Sequence, residues 1–216
     1  LTGSELNSSA DYSYDPADRL IKISIPSLKP EGVDVQDLPP KVVSMTYDAN
    51  GMRSSKTLRF AQGEAANGET TLYHYDLANN VVCETDENGK VKSTYIYANG
   101  MRICRIDPQG KMFFFLNDPL GSPIMITDEN GNAVQRYIYD PFGTIILSKG
   151  SNDNHYTYTG KELDAESGLM YYGARFYDPK IGRFTSRDIA GPDYGNAQSL
   201  NRYVYCLNNP VKFVDP

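Results

Sequence analysis

Two segments of this chain recur at one fixed spacing, and that spacing limits the fold more than any other feature. Thr85-Asp86-Glu87-Asn88-Gly89 returns as Thr127-Asp128-Glu129-Asn130-Gly131, and Tyr95-Ile96-Tyr97 returns as Tyr137-Ile138-Tyr139, each 42 residues further on. Phe115-Leu116-Asn117-Asp118-Pro119-Leu120-Gly121 supplies a middle copy, so the unit is about 21 residues long. Such a unit accommodates two short strands joined by Asn-Gly or Pro-x-Gly turns. A lone hairpin is marginal in water, so the units must pair edge to edge into one long sheet. Weaker copies stand upstream. Tyr12-Ser13-Tyr14-Asp15 and Leu20 to Ile25 flank a polar turn, Asn50-Gly51 follows Tyr47-Asp48, and Asn79-Asn80 follows Tyr75-Asp76. The expected fold is all-β, built of stacked antiparallel hairpins. The one segment that reads as a helical turn, Lys161 to Glu166, is too short to change this.

Between the units, Leu1 to Ala10 reads as a polar tail, and Pro26 to Pro40 and Ala61 to Glu69 read as loops. Seventeen tyrosines and no tryptophan suit half-buried pleated surfaces. A net charge of −6 without a cluster of Lys or Arg argues against a nucleic-acid partner. No apolar run is long enough to span a bilayer. Cys83, Cys104 and Cys206 match no metal spacing and read as small buried apolar residues. The start at Leu1 and the stop at Asp215-Pro216 suggest a piece of a longer chain.

Near the C-terminus the Tyr-Asp device is densest. Gly168-Leu169-Met170-Tyr171-Tyr172-Gly173-Ala174-Arg175-Phe176-Tyr177-Asp178-Pro179 alternates aromatic with small residues, as a strand does when rings pack on one face. Asp178 to Gly182 is a turn, and Gly182-Arg183-Phe184-Thr185-Ser186-Arg187-Asp188 comes after it. On the residues alone, Arg175 and Arg183 would pair with Asp178 and Asp188 across a hairpin, and Asp215 would be a turn residue before Pro216.

These stretches, with Tyr158-Thr159-Gly160-Lys161-Glu162 and the tail Asn201 to Pro216, resemble the Rhs-repeat-associated core domain of the YD-repeat polymorphic toxins and of the C component of insecticidal toxin complexes. The resemblance is specific over 116–216, the expected core domain. It is repeat-level over 1–115, the expected hairpin strip, with one sheet running through both. It implies a strip that spirals into a hollow shell around a toxin carried downstream in the same polypeptide, ending in a plug. In several members the plug is an aspartyl autoprotease that cuts just beyond an Asp-Pro-x-Gly motif. Asp188 and Asp215 match that family's paired aspartates, and Arg175 its supporting arginine. Two carboxylates held together split their proton affinities, so one can activate water while the other donates a proton. The departures are Ile189, where the family has Pro, and a longer segment from Gly191 to Ser199.

The resemblance further implies a secreted or cell-surface bacterial protein. Its partners would be the C-terminal toxin domain, upstream YD repeats or another shell protein, and further copies through unpaired sheet edges. No cofactor and no metal are expected. Asp86-Glu87-Asn88-Gly89 and Asp128-Glu129-Asn130-Gly131 lack the distal ligands of a calcium loop and read as turns. His74 and His155, each beside tyrosines, read as structural residues, and no Gly-x-Ser-x-Gly elbow accompanies them. The alternative function is a non-catalytic cell-surface module that binds protein, or binds glycan through tyrosine stacking.

Overall fold

The computed structural model describes residues 10–27, 39–60, 68–191, 195, 197–213 and 215. The expected tail at 1–9, and most of the two expected loops (28–38 and 61–67), lie outside the described residues.

The first sheet holds twelve strands in chain order, each hydrogen-bonded antiparallel to its sequence neighbour. They are β1 (Asp11–Tyr14), β2 (Leu20–Ile25), β3 (Lys41–Tyr47), β4 (Arg53–Phe60), β5 (Glu69–Tyr75), β6 (Val81–Thr85), β7 (Val91–Ala98), β8 (Met101–Ile106), β9 (Met112–Asn117), β10 (Pro123–Thr127), β11 (Ala133–Tyr139) and β12 (Ile145–Gly150). The ladder passes through residue 115 unbroken and stops at Gly150. A second antiparallel sheet comes next: β13 (Glu162–Asp164), β14 (Leu169–Tyr171), β15 (Phe176–Asp178) and β16 (Arg183–Phe184). Half of the segment expected to allow a helical turn, 161–166, is therefore β13, and its last two residues are a turn. The strand is held extended because Glu162 and Asp164 find their partners, Arg53 and Lys56, on the other sheet.

The Tyr-Asp pair is a two-part fastening. The Asp part makes the turn. At Asp48, the side-chain Oδ1 accepts the amides of Asn50 and Met52, both at 2.9 Å, while Gly51 donates to the Asp48 carbonyl. The same pattern closes turns at Asp76, Asp86, Asp107, Asp118, Asp128 and Asp140. The fourth residue of each turn is left-handed, with φ of 81° at Gly51 and 80° at Gly131. Glycine fills it at no steric penalty. The extra residue is why the register slips beside each turn, as a bulge. So both Asp-Glu-Asn-Gly copies are turns.

The Tyr part joins one hairpin to the one before it. The hydroxyl donates to the carbonyl of the residue just after the preceding turn on the same edge of the sheet: Tyr47 to Leu20 at 2.5 Å, Tyr75 to Arg53 at 2.8 Å, Tyr97 to Val81 at 3.0 Å and Tyr139 to Pro123 at 2.9 Å. At the copy that has Asn117 instead of tyrosine, its amide donates to the Arg102 carbonyl at 2.8 Å. The repeat is thus a staple of fixed reach.

The second sheet is buried on both faces, where the alternation of large and small residues suggested one. Leu169, Tyr171 and Phe176 pack on Leu20, Ile23, Val43 and Met45 of the first sheet. Met170, Tyr172, Tyr177 and Phe184 form a separate core with Tyr158, Tyr205 and Cys206. Cys104 is also buried and Cys83 half-buried; all three thiols are free.

On the face that carries the first of these clusters the sheets also meet through charge, since Glu162 and Asp164 stand opposite Tyr171 and Leu169 in the register. Arg53, fully buried at the start of β4, donates to Asp164 Oδ2 at 2.8 Å, to Glu162 Oε2 and to the Tyr73 hydroxyl. Its guanidinium sits 4.5 Å from the centre of the Tyr171 ring and 4.7 Å from that of Tyr73. Lys56 reaches Asp164 at 2.8 Å and Glu162 at 3.2 Å. Glu84 accepts from Tyr95, Tyr156 and His155 at 3.1, 2.7 and 2.9 Å. Ligand atoms of Glu84, His155 and Glu162 all lie within 4.8 Å of one another, a spacing a cation can bridge. The carboxylates of this group already meet Arg53, Lys56 and the His155 ring.

Removing one partner from such a cluster strands buried carboxylates. Arg53→Met should lower the unfolding free energy by about 3–5 kcal/mol, read by urea denaturation. Tyr139→Phe, which orphans one carbonyl, should lower it by about 1–2 kcal/mol. A loss below ~1 kcal/mol for Arg53→Met would remove the cluster as the tie between sheets.

Burial pushes the His155 ring down, but Glu84, and behind it Glu162, outweigh this and hold it above its ordinary value, with Lys56 opposing. A folded-state value raised this way stabilises fully below about pH 6.5, and the contribution is lost as pH rises through the folded-state value. Stability should therefore fall as the pH climbs from about 6.5 through that raised value, and His155→Gln should flatten the fall. An unchanged slope in the variant would refute the assignment.

Candidate functional site

A tight turn at Gly173, with φ of 87°, places Arg175 just before β15; Tyr172 donates to the Arg175 carbonyl at 2.9 Å. The guanidinium lies flat on Phe184 of β16, 3.6 Å from its ring centre. Stacking of this kind leaves the fork of N–H donors free at its rim. One of those nitrogens, Nη2, stands 3.1 Å from Asp188 Oδ2 and 3.4 Å from Asp215 Oδ2. The other, Nη1, donates to the Arg202 carbonyl at 3.4 Å. The three residues singled out in the sequence therefore share one nitrogen's reach. Arg183 lies across from Asp178 in the register of β15 and β16 but with its side chain exposed.

Each aspartate is fixed by its own segment. The Asp188 amide donates to the Arg202 carbonyl at 2.8 Å, and its Oδ1 accepts from the Ala190 amide at 2.8 Å. Arg202 clasps the same bend from outside, donating to the carbonyls of Asp188 and Ala190. Ile189 is exposed, so the departure from the family pattern there leaves the carboxylate's contacts intact. The longer segment is described at Gly191, Gly195 and the 3-10 turn Ala197–Leu200; residues 192–194 and 196 of it lie outside the described residues. Asp215 is brought back by a left-handed turn, with φ of 46°, 51° and 60° at Cys206, Leu207 and Asn208.

The two carboxylates differ in exposure: the Asp188 side chain is 38% exposed and that of Asp215 23%. Burial pushes Asp215 above the usual carboxylate range, and neighbouring Asp188 adds to this; Arg175 first, then Lys161, pull it back without cancelling the rise. Asp188 lies in a cleft of about 320 Å³ with Arg175, Arg202 and Asp215. Asp215 also borders a second cleft of about 740 Å³, between the turns near Asn79, Gly100 and Gly121 and the second sheet. Phe184 and Arg202 stood inside the Gly182 to Asp188 and Asn201 to Pro216 stretches, but nothing in the spacing marks one as a platform or the other as a clasp. Lys161 stood in plain view in the Tyr158-Thr159-Gly160-Lys161-Glu162 motif.

Three consecutive left-handed residues without glycine store strain of about 1–2 kcal/mol each. Leu207→Gly should raise the unfolding free energy by about 1 kcal/mol, measured by thermal or urea unfolding. A drop instead would mean that the leucine side chain outweighs the backbone strain.

A staple-joined hairpin strip with a small, doubly buried second sheet defines a YD-repeat shell. The comparisons agree. The Teneurin YD-shell family model matches residues 79–211, and the chain belongs to that family of Rhs/YD-repeat shells. It is 36% identical over 174 residues to the tRNA nuclease WapA of Bacillus subtilis, covering 79% of this chain and 7% of that protein. It is 32% identical over 108 residues to the toxin protein Tse5 of Pseudomonas aeruginosa, covering 50% of this chain and 8% of that one. The crystal structure of TcdB2-TccC3 superposes with a TM-score of 0.70 at 23% identity, over 96% of this chain and 10% of that one. The chain thus spans less than a tenth of the two named relatives' length.

Proposed function

We propose that this chain is the closing section of a toxin-encapsulating shell, with a plug that acts once, as an aspartyl autoprotease, to release the segment downstream of it in the polypeptide. The observation that carries the reading is the single Arg175 nitrogen shared by Asp188 and Asp215. In the family's pattern these are the paired aspartates and their arginine, and the relatives' names, a nuclease and a toxin, fit a shell fused to a toxic domain. Export accords with the same reading, since such a cargo acts outside the cell that makes it.

The chemistry requires unequal carboxylates, and the roles are assigned from burial and from the distances to Arg175. Asp215, pushed up by burial, is the proton donor. Asp188, closer to Arg175, is the base. Asp188 takes a proton from water as the water oxygen bonds to the scissile carbonyl carbon, and Asp215 gives its proton to the carbonyl oxygen. The tetrahedral carbon then loses the amide nitrogen, which leaves with the proton Asp188 took. The hydroxyl proton returns to Asp215 as the carbonyl of the new carboxyl group re-forms. Arg175 stabilises the negative charge that the pair carries through the step.

Expressed with its native downstream sequence, the chain should yield a fragment released near Pro216. Asp188→Asn or Asp215→Asn should slow that release by about 10²–10⁴-fold. Processing at the parent rate in either variant would overturn the protease role and leave the non-catalytic surface module.

A further inference from the structure

Lys161 sits half-buried with its ammonium 5.1 Å from the centre of the Tyr172 ring, an attraction that holds a cation without neutralising it. It borders the 740 Å³ cleft, and so does Asp215. Arg175 and Asp215 together border the other, smaller cleft. Asp215 therefore borders both clefts, with Arg175 lining one and Lys161 the other.

The backbone that presents Lys161 is strained in a way that packing alone does not require. Thr159 is left-handed at φ 50°, beside Gly160 at 69°. A β-branched residue in that region is a conformational outlier. It is held there by Ser122 Oγ, which accepts the Thr159 amide at 3.0 Å, and by a 2.8 Å hydrogen bond between the Thr159 and Tyr172 hydroxyls. Lys161 itself is pinned by its main chain, donating to Tyr158 at 3.1 Å and accepting from Thr157 at 2.8 Å. The ring beneath the ammonium and the strained turn in front of it thus share one hydrogen bond. The same turn fixes where the charge points.

We propose that Lys161 is a positioning residue for the aspartate pair, setting the charge on Asp215 from the larger cleft. The inference rests on the autoprotease reading for its purpose but not for its measurement. Burial of the lysine and the field of Asp215 act on each other in both directions: burial lowers the Lys161 ammonium's proton affinity and Asp215 raises it, while Lys161 lowers that of Asp215. Asp215 must hold its proton until water attacks, yet must not hold it so tightly that it fails to give it up. A cation at some distance does this more finely than a second direct ion pair would.

The test is a titration of the Asp215 carboxyl by ¹³C NMR in the full chain, with Asp215→Asn used to assign the signal. Lys161→Gln should shift the Asp215 midpoint upward by on the order of one pH unit, and Lys161→Arg should restore most of it. In protein extended by its native downstream sequence, the acid side of the pH profile for self-cleavage should move with the NMR midpoint. An unmoved midpoint in a folded Lys161→Gln protein overturns the proposal, whether or not cleavage occurs. A moved midpoint with no effect of Asp188→Asn on processing would keep the electrostatic coupling and discard the protease reading. If Lys161→Gln fails to fold, Lys161→Met supplies the same test with the aliphatic stem retained; failure of both, with Lys161→Arg folded, would make the lysine a structural charge and overturn the positioning role.

Discussion

The arrangement depends on a charge that cannot be left alone. Arg53 is fully buried where the long sheet meets the small one, and its obligatory partners, Glu162 and Asp164, belong to the other sheet. Burying an ion pair contributes little net stability compared with apolar packing. What it contributes is register. Two greasy sheet faces can slide by a residue and still bury rings, but an unpaired guanidinium in that interior is heavily penalised. The observed docking satisfies Arg53, Lys56 and Glu84 together. The apolar cluster beside them then supplies the attraction, and the ions choose the position.

A second constraint runs along one edge of the strip. The tyrosine staples tie each hairpin to the hairpin before it at the same offset, immediately after the turn. That edge is consequently held at every repeat by a hydrogen bond outside the strand ladder, and the turns near Asn79, Gly100 and Gly121 that border the larger cleft belong to it. A site built against such an edge inherits its rigidity. The opposite edge has turns of the same Asp type without this set of staples, as at Asp86, Asp107 and Asp128.

The strip was legible in the sequence because its physics is local and repeated. An Asp that caps its own turn, with a residue that tolerates positive φ three positions later, writes itself into the chain at most of the copies; the turn at Asn99-Gly100 follows Ala98 and relies on its two left-handed residues. The 42-residue echo of Tyr95-Ile96-Tyr97 records the strands between. The docking of the small sheet was not legible. Arg53 comes just after a turn, and nothing local says that its partners lie more than a hundred residues away. The same blindness hid the second buried face of Leu169 to Tyr172, since alternation reports side-chain size and not what lies across the sheet. For the site, the motif positions of Arg175, Asp188 and Asp215 could be matched. The platform under Arg175 and the clasp of Arg202 could not, because stacking and carbonyl capping leave no pattern of spacing. Lys161 lies inside a recognisable motif yet carries no mark of its place beside Asp215, because a lysine's role is set by what buries it.

These constraints stack in an order that bears on timing. Arg175 can reach both aspartates only when it lies on Phe184, and Phe184 is placed by the aromatic core of Tyr172, Tyr177 and Tyr205. That core packs against Tyr158, whose hydroxyl is anchored to the Pro141 carbonyl of the last turn of the strip. Asp215 is carried round by the left-handed turn at Cys206 to Asn208, whose Cys206 belongs to the same aromatic core. A carboxylate pair assembled by this sequence of dependencies does not exist in a half-folded chain. Under the proposed reading the cut therefore waits for the small sheet to be seated on the strip, so that the signal for release is the completed fold itself.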